Sequence, residues 1–265
     1  MAINTEILSL YKEMGETPLE CLVRFRTEHP EYAEAKMSYL GRLDPMAEGL
    51  LLVLVYPERS RRVGDMRKKE EYLGLDKTYE FEVLWGFKSD TYDILGLIEG
   101  GGVAPQKLEA KMRPLLKKIQ NIKTQAYPAY SSRTVSGKSL FMWAREWNDL
   151  LGHSMIEEID VPTRSIKIFS LEHIHTRAVT GRKILSEVER RIALVGGDFR
   201  QKAILSRWQN TLVARPNEMF LISKFVADVS SGTYVRGLAN EMGKILKSSA
   251  LAWSIRRTRV GEYKI

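Results

Sequence analysis

Apolar and polar positions along this chain follow two periods. From Tyr79 to Trp85 they alternate: Tyr79, Phe81, Val83 and Trp85 fall on one side, Glu80, Glu82 and Leu84 on the other. A period of two is the signature of a half-buried strand. Similar alternation marks strands over residues 165–174 and 220–229. Residues 50–55, Leu-Leu-Leu-Val-Leu-Val, are apolar without interruption, which predicts a short strand buried on both faces.

Helical spacing appears between these segments. Thr17, Pro18 and Glu20 form a T-x-x-E capping box with proline at the first helical position. Leu19, Leu22, Val23 and Phe25 then give an apolar side, and Pro30 ends the helix. A charged helix is predicted over residues 58–69, with six Arg or Lys from Arg59 to Lys69. Further helices are expected over residues 108–119, kinked by Pro114, and from Leu140 to about Asn148. A turn leads into another over about 234–246.

Between the last two alternating stretches lies a segment of different character, residues 176–216. It holds nine Lys or Arg against three acids, +6 of the chain's net +8. Ser186 with Glu189 reads as a capping box, and Ile184, Val188, Ile192 and Val195 recur at helical spacing. Gly196 and Gly197 stop that helix, and Leu205, Trp208 and Leu212 predict a second. The expectation is a basic helical hairpin inserted in the fold and touching RNA phosphates through Arg190, Arg191, Arg200 and Lys202.

Composition narrows the class. The 265 residues are 44% hydrophobic, enough for a substantial core, with 41 Lys and Arg against 33 Asp and Glu. The basic balance favours a polyanionic partner. One cysteine, Cys21, cannot form an internal disulfide, and no secretory signal is visible. No apolar run reaches the roughly 18–20 residues that span a bilayer. These features lead to the expectation of a cytoplasmic protein with no membrane partner.

Candidate chemistry centres on Asp44, set between Leu43 and Pro45 and framed by Gly41 and Gly49. Pro45 stiffens the backbone beside the carboxylate, and the glycines permit tight turns or close approach. Gly137-Lys138-Ser139 lacks the upstream glycine of a phosphate loop, since Ser132 occupies that position. Of the histidines, His29, His153, His173 and His175, the last two would share a strand face, but no Cys or carboxylate pattern completes a metal set. Neither a cofactor nor a metal is expected.

The motif G-x-L-D-P-x-A-x-G-x-L at residues 41–51 resembles that of the tRNA pseudouridine-55 synthase (TruB-type) family. Residues 76–93, DKTYEFEVLWGFKSDTYD, and 230–243, SSGTYVRGLANEMG, agree in the same order. Weaker likenesses occur at 10–20, 126–140 and 255–261. The resemblance implies an α+β fold, a mixed and largely antiparallel sheet with flanking helices, as one catalytic domain spanning residues 1–265. It implies isomerisation of a uridine in the T-arm loop of tRNA, with tRNA as partner, no guide RNA and a monomeric protein.

Asp44 inherits the catalytic role. Tyr39, Tyr79, Asp93, Tyr234, Arg236 and Ile255 inherit substrate-binding positions, with Tyr79 stacking on the uracil and Arg236 pairing with Asp44 and Asp93. Tyr39 departs from the family's histidine; it can stack but lacks an imidazole's proton exchange near neutrality. Only four residues follow Gly261, so no separate carboxyl-terminal RNA-binding domain is expected. A different class, a non-catalytic RNA-binding or tRNA-folding protein on the same scaffold, would not need the acid.

Overall fold

A computed structural model describes residues 5–56, 63–99, 103–151 and 160–265. The first half of the chain gives β1 (Glu6–Lys12), α1 (Pro18–Glu28), β2 (Lys36–Tyr39), β3 (Ala47–Tyr56), α2 (Val63–Gly74), β4 (Lys77–Trp85), β5 (Lys88–Ser89), β6 (Ile98–Glu99) and α3 (Leu108–Gln120). The second gives β7 (Thr124–Ala126), β8 (Thr134–Val135), β9 (Lys138–Ser139), α4 (Leu140–Leu151), β10 (Thr163–Ser165), β11 (Ile168–Thr180), α5 (Gly181–Ile192), α6 (Gln201–Leu212), β12 (Met219–Val229), α7 (Val235–Ile245), β13 (Ala250–Val260) and β14 (Tyr263–Lys264).

The main sheet runs β1-β3-β13-β4-β12-β11, with β2 on β3 and β14 on β13. Every pairing is antiparallel except β3 with β13, where Ile255 lies opposite Ala47 and Arg257 opposite Gly49. The fold is therefore the mixed, largely antiparallel α+β sheet expected. β4 buries Tyr79, Phe81, Val83 and Trp85 on the face covered by α3 and α7. On the other face α5 and α6 cover Leu84, Ile222 and Leu251. The apolar run of β3 is buried from Leu50 to Val55, shared between α1 on one side and Val260 with the half-buried Tyr72 on the other.

Several local expectations are corrected. The capping box of α1 is present, but Leu19 and Val23 face outward, 61% and 54% exposed. The buried stripe runs through Cys21 and Leu22; the thiol serves as a small apolar residue that the expected apolar side did not include. α2, described from Val63, runs on to Gly74, past the expected end at Lys69; residues 57–62, where that helix was expected to start, lie outside the described residues, as does His153. α3 holds Pro114 in its interior, as expected.

β11 continues to Thr180, into the segment read as a helical insertion, because Val179 and Thr180 still pair with Phe220 and Met219. The cap of α5 is Thr180, whose hydroxyl accepts from Lys183 N–H, and Ser186 lies inside the helix. His173 and His175 do not share a face. A bulge between them pairs His173 with Phe225 and His175 with Lys224, consecutive residues of β12.

Candidate active site

Segments from across the chain border a cleft of about 920 Å³. The loop 40–46 carries Asp44 between β2 and β3. Its backbone is held from two sides. Gly15 N–H, in the turn between β1 and α1, donates to Pro45 O at 2.8 Å. Arg257, 1% exposed on β13, donates to Leu50 O at 2.7 Å and Arg42 O at 3.2 Å. Gly49 makes this approach possible: its φ is +110°, and a Cβ there would lie 2.3 Å from Arg257 O.

Arg236 rises from the first turn of α7 and is almost fully buried, at 2% exposure. A cation at a helix amino terminus opposes the helix dipole, so it needs compensating acceptors. It has three. Nε donates to Asp44 Oδ2 at 2.8 Å, Nη1 to Thr91 O at 2.6 Å and Nη2 to Tyr130 O at 2.8 Å. Burial pulls the guanidinium pKa down, but Asp44 and Asp93 outweigh it and hold the value above the ordinary one. Asp44 itself remains 39% exposed on its side chain, open to the cleft. A rigid cation thus orients a carboxylate that a bound molecule can reach.

Asp93 corrects the expected charge pairing. It forms no ion pair with Arg236; its Oδ1 accepts from Thr91 Oγ1 at 2.6 Å and Leu95 N–H at 3.0 Å. Burial raises its pKa to about 6. Arg236 acts on it across a longer distance, while the backbone beside it is tied to β13 by Ala252 N–H on Tyr92 O.

Tyr79 and Ile255 line the same cleft on adjacent strands, where Ile255 pairs with Phe81, two residues on from Tyr79. Both are nearly buried and pack with Leu43 and Val235, the chain neighbours of Asp44 and Arg236. Tyr39 closes the near edge, half-buried, with the Arg42 guanidinium 5.9 Å from its ring centre. Tyr234, the residue before α7, stands edge-on to Tyr127 at 5.9 Å, and burial raises the pKa of its hydroxyl. All seven residues singled out by sequence therefore border one cleft.

Others were not foreseen. Arg257 belongs to a motif that was noted, but a strand arginine gives no local sign that it will turn inward. Lys77 is 5% exposed at the cleft, donates to Leu75 O at 2.5 Å, and is pushed down to about 8 by burial. Lys12, fully buried, donates to Glu13 O and Glu16 O beneath the Asp44 loop, and burial lowers it likewise to about 8. Asp198, Phe199 and Arg200 also reach the rim, from the loop between α5 and α6.

Residues 30–191 match the family described as TruB family pseudouridylate synthase (N terminal domain). The chain belongs to this family. Among curated TruB relatives, a protein named tRNA pseudouridine synthase B from Mesomycoplasma hyopneumoniae is 28% identical over 229 residues, covering 86% of this chain and 53% of the relative. One of the same name from Caldanaerobacter subterraneus is 27% identical over 235 residues, covering 88% and 62%. The chain thus spans between half and two thirds of the length of these relatives. A crystal structure of a Cbf5-Nop10-Gar1 complex aligns over 97% of this chain and 49% of its own, with a TM-score of 0.53 and 17% identity. That likeness concerns the fold.

Proposed function

We propose that this TruB-family chain converts a uridine in the T-arm loop of tRNA, at position 55, to pseudouridine. The observation that supports this best is the Asp44 carboxylate, open to the cleft and held by a buried arginine from the far end of the chain. The reaction breaks the C1′–N1 bond, turns the uracil and rejoins it through C5. Nothing is oxidised and no group is imported, so the chemistry calls for an oriented carboxylate and a base-binding pocket.

Asp44 acts on the nucleoside directly. Arg236 fixes its orientation, and Tyr79 stacks on the base over the floor that Ile255 completes. Tyr39 fills by stacking the space from which neighbouring bases must be displaced. The uridine must leave its stack to enter, at a cost of a few kcal/mol that is least in a loop. The chain acts alone on tRNA, without a guide RNA or a cofactor, as a monomer.

The test is Asp44→Asn in the purified protein, assayed by mapping pseudouridine in a tRNA transcript. Product should vanish while tRNA affinity stays within about tenfold, because the amide keeps the shape of the side chain and most of its interactions. Turnover by the variant near the wild-type rate would remove Asp44 from the catalytic role. An absence of pseudouridine with wild-type protein on any tRNA would favour the non-catalytic RNA-binding reading instead.

A further inference from the structure

We propose that the loop between α5 and α6 is a built-in brace for the Asp44–Arg236 pair, with Arg200 as its positioning residue. The hairpin is fixed first by its apolar side. Ile184, Val188, Ile192, Ile204, Trp208 and Leu212 are all buried, in one cluster with Ile94 and Leu95 from the loop that carries Asp90, Thr91 and Asp93. The Phe87 and Trp208 rings lie 5.3 Å apart. The hairpin is thus the floor under the segment that supplies Arg236 with one of its acceptors.

At the tip, Arg200 adopts a left-handed backbone with φ of 64°, unusual for a residue with a side chain. The loop enforces it. Gln201 Nε2 donates to Val195 O and Gly197 O, and Asp198 Oδ1 accepts from Arg200 N–H. The result aims the guanidinium at two targets. Nη1 pairs with Asp90 Oδ2 at 2.7 Å, and Cζ stands 4.5 Å from the centre of the Tyr130 ring. Asp90 immediately precedes Thr91. The two backbone carbonyls that accept from Arg236, Thr91 O and Tyr130 O, therefore belong to the two places Arg200 holds together.

The same loop also touches the other half of the pair. A Cβ on Gly15 would lie 2.6 Å from Leu194 Cβ, so Leu194 rests directly on the turn whose Gly15 N–H holds Pro45 O beside Asp44. Arg145 of α4 donates to Asp198 O, joining the loop to the opposite wall. Gripping phosphate is the other role an arginine here invites. Arg200 is poorly placed for it: its side chain is 16% exposed and already paired with Asp90, itself 13% exposed.

This inference deepens the reading of the cleft as a uridine-isomerising site and depends on it for the rate measurement alone. The experiment compares the full chain with Arg200→Ala, Arg200→Lys and Asp90→Asn. Three quantities are read: pseudouridine formation in a single turnover at saturating tRNA, tRNA Kd, and the nuclear magnetic resonance signal of Arg236 Nε–H, assigned through its disappearance in Arg236→Lys.

Arg200→Ala should slow the saturating rate by roughly tenfold or more, because small misplacements of a reacting group cost rate steeply. It should leave Kd unchanged and abolish the protected Nε–H signal. Arg200→Lys should recover part of both, keeping the charge for Asp90 but losing the flat stacking against Tyr130. Asp90→Asn, whose Oδ1 can still accept from Leu97 N–H, should mimic Arg200→Ala and decides the matter if the alanine variant does not fold. An unchanged rate with an unchanged signal overturns the brace. A weakened Kd at full rate overturns it in favour of phosphate binding. If the wild-type chain makes no pseudouridine, the function falls while the Nε–H signal still settles whether Arg200 positions Arg236.

Discussion

A carboxyl group with no room for water holds its proton longer than one in an unfolded chain, and Asp93 is such a group. Its folded pKa of about 6 lies above the unfolded value of 3.8. The native state therefore binds the extra proton between about pH 4 and pH 6, and stability from this residue is full below that window and lost as pH rises through it. Asp93→Asn keeps an oxygen for Thr91 and Leu95 but carries no charge. Its unfolding free energy relative to wild type should climb across this window, by on the order of 3 kcal/mol, and level off above it. Urea titrations of both proteins at pH 4, 5, 6 and 8 measure this; a difference that stays constant with pH would refute it. At Tyr39 the expectation is of shape: Tyr39→Phe should keep turnover and Tyr39→Ala should lose it on folded tRNA more than on an isolated T-arm loop. Equal loss in the two variants would assign the work to the hydroxyl.

What sequence showed and what it hid divide by the range of the interaction. The capping box at Thr17, the alternation of β4 and the burial of residues 50–55 are local patterns, each legible because a helix turn or a pleat repeats within a few residues. The cleft residues were legible only through a resemblance spread over three motifs. Nothing near Asp93 in sequence tells whether Arg236 reaches it, and the fold places Arg236 on Asp44 and two carbonyls instead. The bulge that parts His173 from His175 is likewise set by the partner strand.

In the helical hairpin, net charge alone does not say which basic residues are already paired within the fold. The hairpin's net charge of +6 pointed to Arg190, Arg191, Arg200 and Lys202 as the residues that meet RNA. The first two pair with Glu187, Arg191 also lies 4.5 Å from the Trp253 ring centre, and Arg200 pairs with Asp90. Arg182, Lys183, Lys202 and Arg207 are exposed and form no ion pair among the described residues. Neutralising these four should reduce the slope of log affinity for tRNA against log salt by roughly 0.7–0.9 for each phosphate left without its cation, with the saturating rate preserved. An unaltered slope would make α5 and α6 scaffold alone.

At the scale of strands, Gly49 joins β3 to β13. Gly49→Ala would put a methyl group onto Arg257 O and impose a positive φ on a side chain. A loss of about 2–4 kcal/mol is expected. Chemical denaturation measures it, and a loss below about 1 kcal/mol would show that the strands can separate slightly without cost.

For the molecule as a whole, the parallel pairing of β3 with β13 has a consequence in time. Residue 47 meets residue 255, and Asp44 meets Arg236 across 192 positions of chain. Contacts of such separation must close a long loop before they return any stability, so they form late and slowly. As the polypeptide emerges from a ribosome, β1, β2 and β3 can assemble early around their own apolar residues. The place beside the start of β3 stays vacant until β13 arrives, leaving that edge open to wrong partners meanwhile. A nascent chain is therefore without its cleft and prone to aggregate until β13 has been made, and the pairing that completes its sheet also completes its cleft.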